Sequence, residues 1–444
     1  MTETICPIHQ FPDAAASREL ISRLMNRMAA DGGDAAATEA TVRAILADVR
    51  ENGLKALVEY TRKFDCPEFT AGMFAVSPDA VAEAAQGIPS ADRVVIREAA
   101  IRIRAYHEAQ KEKSWFMNDA YGSVLGQAVR PLDRVGLYVP GGRGGETPLI
   151  SSLLMNAVPA QVAGVDEIAV VSPPRSDGSV NAHILAAAYE LGISEIYACG
   201  SAWAVAALAY GADSLMPVDL IAGPGNIWVT TAKRLLLGYV GIDMLAGPSE
   251  ICVIADESAH PAWVAADMLS QAEHDPLASA VCITPDPAIA RGVLAELAVQ
   301  LETLPRADVA RQSLRDWGAV IVTPDLAVAA AISNKIAPEH LELCVGDPWT
   351  LAPAIRHAGA VFLGHYSAEP VGDYFAGPNH VLPTMGTARF SSALSVETFC
   401  KKSSVISVNQ AFTAANAQAI ARLARLEGLE AHARSVEARL LPKP

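Results

Sequence analysis

Basic residues are scarce in this chain of 444. There are 34 Lys and Arg against 49 Asp and Glu, giving a net charge of −15 and a pI near 5.1. That balance excludes the positive footprint by which proteins grip nucleic acid or an anionic membrane surface. Long apolar runs are missing too: Gly, Pro or a charge interrupts each before it could span a bilayer. The opening MTETICPIHQ has neither the basic nor the apolar block of a signal peptide, so a cytoplasmic protein is expected. The seven cysteines are odd in number, scattered and without a CxxC, which argues against a disulfide framework and a thiolate zinc site. Cys199, Cys252, Cys282 and Cys344 fall in or beside β-like runs and read as small buried hydrophobes.

What is present is the composition of a globular protein, 51% hydrophobic and 19% charged, long enough for two or more domains. Residues 1–35 read as an N-terminal segment with one short helix at 17–29. The periodicity predicts helices over 34–60 and 77–111. From Gly136 the texture changes. A strand at 135–139 leads into the glycine-rich turn 140–148, a helix at 149–163 and a strand at 167–172. Helix 183–191, strand 195–199, helix 202–210, strand 218–222 and a helix from Gly223-Pro224-Gly225-Asn226 to 237 continue the alternation.

A second run follows. It has strands at 251–255, 280–284, 319–322, 341–344 and 360–363, with helices at 261–274, 288–304, 326–335 and 348–357 between them. Such alternation points to βαβ units and parallel sheets. The phrases at 171–174, 283–286 and 321–325 resemble one another and suggest two related α/β domains. Residues 399–408 are mixed in character, and 410–440 is helical and Ala/Arg-rich, a tail that must pack its apolar face on the core or on another subunit.

Four stretches offer chemistry. Gln271 and His274 lie three apart at the end of a helix that must stop before Pro276, so they share a face. An amide oxygen and an imidazole there can form half a zinc shell, or simply a helix-end hydrogen-bond cluster. Glu339 and His340 are placed by the pattern at a sheet edge, where an imidazole can act as base and a carboxylate can orient water; a surface pair in a connection is the plainer alternative. The loop 371–384 carries Asp373 and His380 among two glycines and two prolines. Glu427 and His432 lie in the terminal helix, where a histidine is by default exposed. The turns at 140–148 and 223–226 stand where backbone amides can meet a phosphate, although neither matches GxGxxG.

In order, spacing and surroundings these stretches resemble the histidinol dehydrogenase family. The resemblance runs from the helices near residue 40 to His432, with further matches at GLYVPGG (136–142), GPGN (223–226), AGPSE (246–250) and TARFSSALSV (387–396). It implies zinc held by Gln271, His274, Asp373 and His432, the last supplied by the partner in a homodimer. It implies Glu339 and His340 as the acid/base pair. Ser249, His380 and Glu427 would contact the substrate L-histidinol alongside the zinc ligands and His340, with Glu427 also crossing the dimer. Tyr138 and Asn226 would contact NAD.

Two departures fall on the cofactor side. Trp203 stands where the family usually has a glutamine that contacts NAD, so it is carried as a cofactor residue that could equally fill volume. The segment 143–151 is also a few residues longer than usual.

The expected fold is α/β, with two related, incomplete Rossmann-like parallel-sheet domains and small helical terminal segments that pack across a dimer. The expected division is 1–35, then 36–135 with 249–392 on the zinc and substrate side, 136–248 on the NAD side, and 393–444 for dimerisation. Three activities compete: double oxidation of an amino alcohol, oxidation of another alcohol such as a hydroxysulfonate, and zinc hydrolysis with Glu339 activating a water. Ser249 and Glu250, with Glu427 and His432, favour the first, because they match the part of the family's site that holds histidinol.

Overall fold

The computed structural model of the chain describes residues 5–27, 35–142 and 145–440. It divides into two compact units, Met1–Gln110 with Asp133–Phe399, and Lys111–Leu132 with Cys400–Pro444. Strands are numbered along the chain. β1 is Ile8–Gln10, β2 Ala75–Val76, β3 Trp115–Asn118, β4 Val124–Pro131 and β5 Arg134–Tyr138. β6 is Glu167–Ser172, β7 Ile196–Ala198, β8 Leu220–Ala222, β9 Gly241–Ile242 and β10 Glu250–Ala255. β11 is Ser279–Thr284, β12 Ala319–Val322, β13 His340–Cys344, β14 Ala360–Leu363 and β15 Cys400–Ser407. The helices used below are α1 (Arg18–Met25), α2 (Ala35–Asn52), α3 (Leu54–Phe64), α4 (Ser201–Tyr210), α5 (Ile227–Leu236), α6 (Pro261–Ala272) and α7 (Leu326–Ile336).

The first unit contains two six-stranded sheets. One has the order β2-β7-β6-β5-β8-β9, with β2 antiparallel to β7 and the other pairs parallel. The other has the order β1-β12-β11-β10-β13-β14 and is parallel throughout. Apart from the added edge strands β2 and β1, both run third-second-first-fourth-fifth. That is the Rossmann order without its sixth strand, so the two related α/β sheets expected from the alternation are found.

A parallel strand covered on both faces must be apolar on both, and β10 is buried along its whole length. Ile251, Val253 and Ala255 join one core with Val264, Ala265 and Met268 of α6. Cys252 and Ile254 join the opposite core with Leu341, Leu343 and, from α7, Ile332 and Ile336. Of the cysteines, only Cys400 is not buried.

Several expected elements are broken where the backbone demands it. The helix read over 34–60 is α2 and α3, separated by Gly53 at φ +51°; Asp34 lies outside the described residues. The helix read over 77–111 is two, Pro78–Gly87 and Ser90–Glu108, because Pro89 holds Ile88 extended. The helix read over 348–357 is one turn, Pro348–Leu351, followed by a 3-10 turn containing Pro353. The N-terminal helix is α1; Met28 and Ala29 of its expected span, and Arg143 and Gly144 of the long glycine-rich turn, lie outside the described residues. Residues 36–135, grouped from the sequence with 249–392, bring α2 against α4 and α5 and β2 against β7, all on the sheet built from 134–242.

In the second unit β15 pairs antiparallel with β4 along its length, and β4 pairs with β3. Two helices follow, Gln410–Leu426 and Glu430–Glu437, which pack on each other around Gly428 at φ +77°. Among the described residues no helix is long and apolar enough to cross a membrane.

Candidate active site

α7 ends in a left-handed residue, Ala337 (φ +51°), whose amide returns to the Ser333 carbonyl, and Pro338 then prevents the helix from resuming. The next two residues are Glu339 and His340. β13 runs between β10 and β14, so the pair sits at the amino end of an interior strand, not at the sheet edge expected from the pattern. Gly359 closes the far side. A Cβ there would lie 2.6 Å from the Glu339 carbonyl oxygen, so only glycine lets β14 start this close.

Glu250, at the start of β10, is tied to the pair reciprocally. Its N–H donates to Glu339 Oε2 (2.9 Å), and its own Oε2 accepts from the Glu339 N–H (3.3 Å). Its carbonyl faces His340 Nδ1 at 3.0 Å. A carbonyl only accepts, so Nδ1 carries the hydrogen and Nε2 is turned the other way. Nε2 is buried without a hydrogen-bond partner and lies 3.6 Å from Asp373 Oδ1.

The sequence reading placed Glu250 with Ser249 in the part of the site that holds the substrate, and the Glu250 carboxylate is engaged by protein groups. Oε1 accepts from Arg27 at 2.7 Å and from the Met385 N–H at 3.1 Å.

Burial pushes the Glu339 carboxyl up to about 7, against the nearby His340 charge and the Glu250 N–H. His340 is raised to about 10. Its burial works the other way, but Glu339, Asp373 and Glu369 around it favour the imidazolium. Asp373 is held below the usual carboxylate range despite its burial, chiefly by His340 and His380.

Asp373 sits in the π-turn Gly372–Ala376, and the Nδ1 of His380 donates to its carbonyl at 3.1 Å. A cavity of about 500 Å³ opens beside these two, lined also by Tyr106, Phe362, Leu382 and Leu394. Gln271 occupies the last turn of α6, fully buried, with Oε1 lacking a partner. His274, one turn on, donates its N–H to the Gln271 carbonyl and interacts electrostatically with Asp373 and His340. Ser249 directly precedes β10 and accepts the Ser279 N–H on its carbonyl.

Glu369 was not singled out in the sequence. It is buried, accepts from Ser270 Oγ at 3.3 Å and is pushed up to about 8 by burial and by Asp373. With His340 and Asp373 it forms a group whose ligand atoms lie within 4.8 Å of one another. Its signal was its position four residues before Asp373, one helical turn, which Pro370 and Gly372 disguise.

The donor set suits a divalent cation. The orphaned amide oxygen of Gln271, the ionised carboxylate of Asp373 and the imidazoles of His274 and His340 are the oxygen and nitrogen ligands such an ion takes, and Gln271 stands at a helix C-terminus, where the backbone carbonyls add partial negative charge. Of the histidine and aspartate ligands implied by the resemblance, Asp373 belongs to that tight group and His274 and His432 do not. Glu427 and His432 belong to the second unit and are exposed beside the turn joining its two helices.

On the other sheet, Tyr138 ends β5, and its buried hydroxyl accepts the Ser201 N–H at 3.1 Å. Gly223 approaches the Tyr138 carbonyl too closely to tolerate a Cβ. Asn226 is exposed and caps α5, accepting from Trp228 and Val229 N–H groups at 3.1 and 3.3 Å. Trp203 is buried. Its ring stacks at 5.7 Å from Tyr60 and 5.5 Å from Phe64, with its indole N–H unpartnered.

Comparison with known proteins agrees with this assembly. The family model described as histidinol dehydrogenase matches residues 29–440. A histidinol dehydrogenase of Nitratidesulfovibrio vulgaris is 64% identical over 403 residues, covering 91% of this chain and 92% of that protein. One from Oleidesulfovibrio alaskensis is 65% identical over 402 residues, covering 90% and 93%. The crystal structure of histidinol dehydrogenase from Elizabethkingia anophelis superposes with a TM-score of 0.90 at 35% identity, over 99% of both chains. A shared sheet order, a Glu-His pair locked between two parallel strands and a match across nearly the whole length lead to one assignment: the chain belongs to the histidinol dehydrogenase family.

Proposed function

We propose that this chain is a cytoplasmic NAD-dependent enzyme that oxidises L-histidinol through L-histidinal to L-histidine, the last steps of histidine biosynthesis. The observation that carries this reading is His340, anchored through Nδ1 on the Glu250 carbonyl with Nε2 unpartnered beside Asp373. In its neutral form such a nitrogen can take the alcohol proton while a hydride leaves the same carbon for NAD, giving the aldehyde. Glu339, with its carboxyl raised into the neutral range, activates water for the second step, in which the hydrated aldehyde yields another hydride to a second NAD.

Gln271, His274 and Asp373, with His432 of the partner subunit, would hold one zinc ion per subunit. Bound there, Zn²⁺ supplies charge and orientation for the substrate's imidazole and amine and no redox change. Ser249, His380 and Glu427 complete the substrate contacts. Residues 249–392 carry this side, and Tyr138, Asn226 and Trp203 in 136–248 carry the NAD side. The assembly is a homodimer in which Glu427 and His432 cross to the neighbouring site.

The test is the appearance of NADH with L-histidinol, with and without a chelator. Two NADH per histidinol, lost on chelation, is the expected result. Turnover of a hydroxysulfonate in place of histidinol would point to a relative with another substrate. Hydrolysis without NADH would replace the assignment altogether.

A further inference from the structure

Arg27 is among the largest fully buried side chains of the molecule, and it lies outside every stretch the site was built from. It follows α1 and continues the stripe of Leu20 and Leu24 that faces the core. Its guanidinium makes four hydrogen bonds. Nε donates to the Leu277 carbonyl at 2.8 Å, Nη1 to the Leu24 carbonyl at 2.8 Å, and Nη2 to the Pro248 carbonyl at 2.9 Å and to Glu250 Oε1 at 2.7 Å.

Those partners are not scattered. Pro248 and Glu250 flank Ser249 at the entry to β10, and Leu277 stands just before β11. Glu250 is the residue that exchanges hydrogen bonds with Glu339 and takes the His340 Nδ1 hydrogen on its carbonyl. We propose that Arg27 is a positioning residue for the acid/base pair, acting through Glu250 to hold the entry to β10 against the entry to β13. The role rests on the function proposed above.

Glu250 Oε1 is shared by Arg27 and the Met385 N–H, which leaves Oε2 to receive the Glu339 N–H. Without Arg27 the Glu250 carboxylate is a buried charge short of its main partner, and it must turn or take up a proton. Either change disturbs the exchange with Glu339. The carbonyl that fixes the His340 tautomer belongs to the same residue and moves with it. A displacement of about 1 Å in a group that positions a base costs on the order of a hundredfold in rate without any loss of binding.

A purely structural anchor would behave differently, and the experiment separates the two. Arg27→Met, Arg27→Lys and Glu250→Gln are compared with Leu24→Ala, a core change in α1 that leaves in place the Leu24 carbonyl to which Arg27 donates. Each is purified as the metal-loaded dimer, and kcat is normalised to sites counted by L-histidinol binding. Arg27→Met and Glu250→Gln should each lower kcat about ten- to a hundredfold, with KM for L-histidinol and metal content within about twofold of wild type. The combined variant should be no worse than the weaker single one, because both break the same link. Arg27→Lys keeps the charge and one donor and should recover part of the loss. Leu24→Ala should unfold at lower temperature with unchanged kcat per site.

The idea fails if Arg27→Lys and Glu250→Gln keep wild-type kcat per site, or if all losses track melting temperature as in Leu24→Ala. It also fails if the two single losses multiply. Should Arg27→Met not fold, the lysine and Glu250→Gln arms still decide. If wild-type protein does not oxidise L-histidinol, the proposed function falls and the positional claim is read from crystal structures, where Glu250→Gln must shift the Glu339 and His340 side chains relative to wild type.

Discussion

The two sheets of the first unit share a strand order, yet their chemistry sits at opposite ends of the strands. In the β5–β9 sheet the special residues follow the carboxyl ends: Tyr138 after β5, and Gly223 and Asn226 after β8. In the β10–β14 sheet they stand at the amino ends: Glu250 opening β10, and Glu339 and His340 entering β13. In a βαβ unit the helix N-termini gather at the carboxyl ends and the C-termini at the amino ends. One end therefore offers free N–H groups and partial positive charge, which suits an anion such as a cofactor pyrophosphate. The other offers carbonyls and partial negative charge, which suits a cation. α6 ends at Gln271 and His274, and α7 ends just before Glu339, so the metal-ligand candidates lie where the helix dipoles already favour positive charge. On the proposed assignment the same topology would serve two unlike sites, each using a different end.

The comparison breaks most visibly at His340. His340→Ala removes the nitrogen assigned as base and should lower histidinol turnover by about a hundred- to ten-thousandfold, with metal retained. Glu339→Gln should harm oxidation of added histidinal at least as much as that of histidinol. Near wild-type turnover in both variants would remove the amino end from the chemistry.

Asp373→Ala tests whether that end holds the cation. Losing even a hydrogen bond that supports a metal ligand costs about ten- to a hundredfold in affinity, and losing a ligand should cost no less. Metal content and activity should fall together, while NAD binding, proposed for the other sheet, stays as it was. Full activity in metal-free protein would contradict the assignment.

The second unit can be drawn into the same test by mixing subunits. His340→Ala and His432→Ala proteins are each inactive if the tail crosses the dimer. After exchange, a mixed dimer has both defects in one site and none in the other, so about a quarter of wild-type activity should return. Verified exchange with no recovery would mean that the tail serves its own subunit.

The carboxyl end of the other sheet should respond to a gentler change. Asn226→Ala removes the cap of α5 and should cost about 1 kcal/mol in stability, with KM for NAD raised and metal content untouched. A fall in metal content would mean that the two ends are not separable.

Much of this was legible in the sequence because it is local. The strands at 167–172, 319–322 and 360–363 have the limits expected from their apolar runs, since turn residues bound each one. The Glu339–His340 pair stood out because a helix stop and a strand start bracket it. What was hidden depends on distant partners. β4 is a strand because β15, some 270 residues later, lies against it. Trp203 reads from the sequence as a cofactor position or a filler of volume, and the rings of Tyr60 and Phe64 stacked on it come from a distant part of the chain. Arg27 looks like one more surface arginine; only its place on the Leu20–Leu24 stripe hints that it points inward.

The smallest effect concerns what each sheet buries beneath its site. The β5–β9 sheet buries a matched ion pair, Lys233 with Asp243. The β10–β14 sheet buries two acids, Glu342 in β13 and Asp267 in α6. Burial, then the charge and hydrogen bond of Asp267, hold Glu342 well above its ordinary range; burial lifts Asp267 to about 6. The arrangement is stable when Glu342 keeps a proton and donates it to Asp267, while its Oε1 accepts the Glu369 N–H at 2.7 Å. Because the folded pKa of Glu342 exceeds the unfolded value of about 4.3, the folded chain binds more protons above that pH, and stability falls as pH rises. Glu342→Gln offers the same donor and acceptor with no proton to lose. It should match wild type near pH 4 and become progressively more stable than wild type toward pH 8, read as a widening gap in melting temperature. A gap that is constant across that range would show that Glu342 does not carry the proton, and that the two sheets do not differ in this respect.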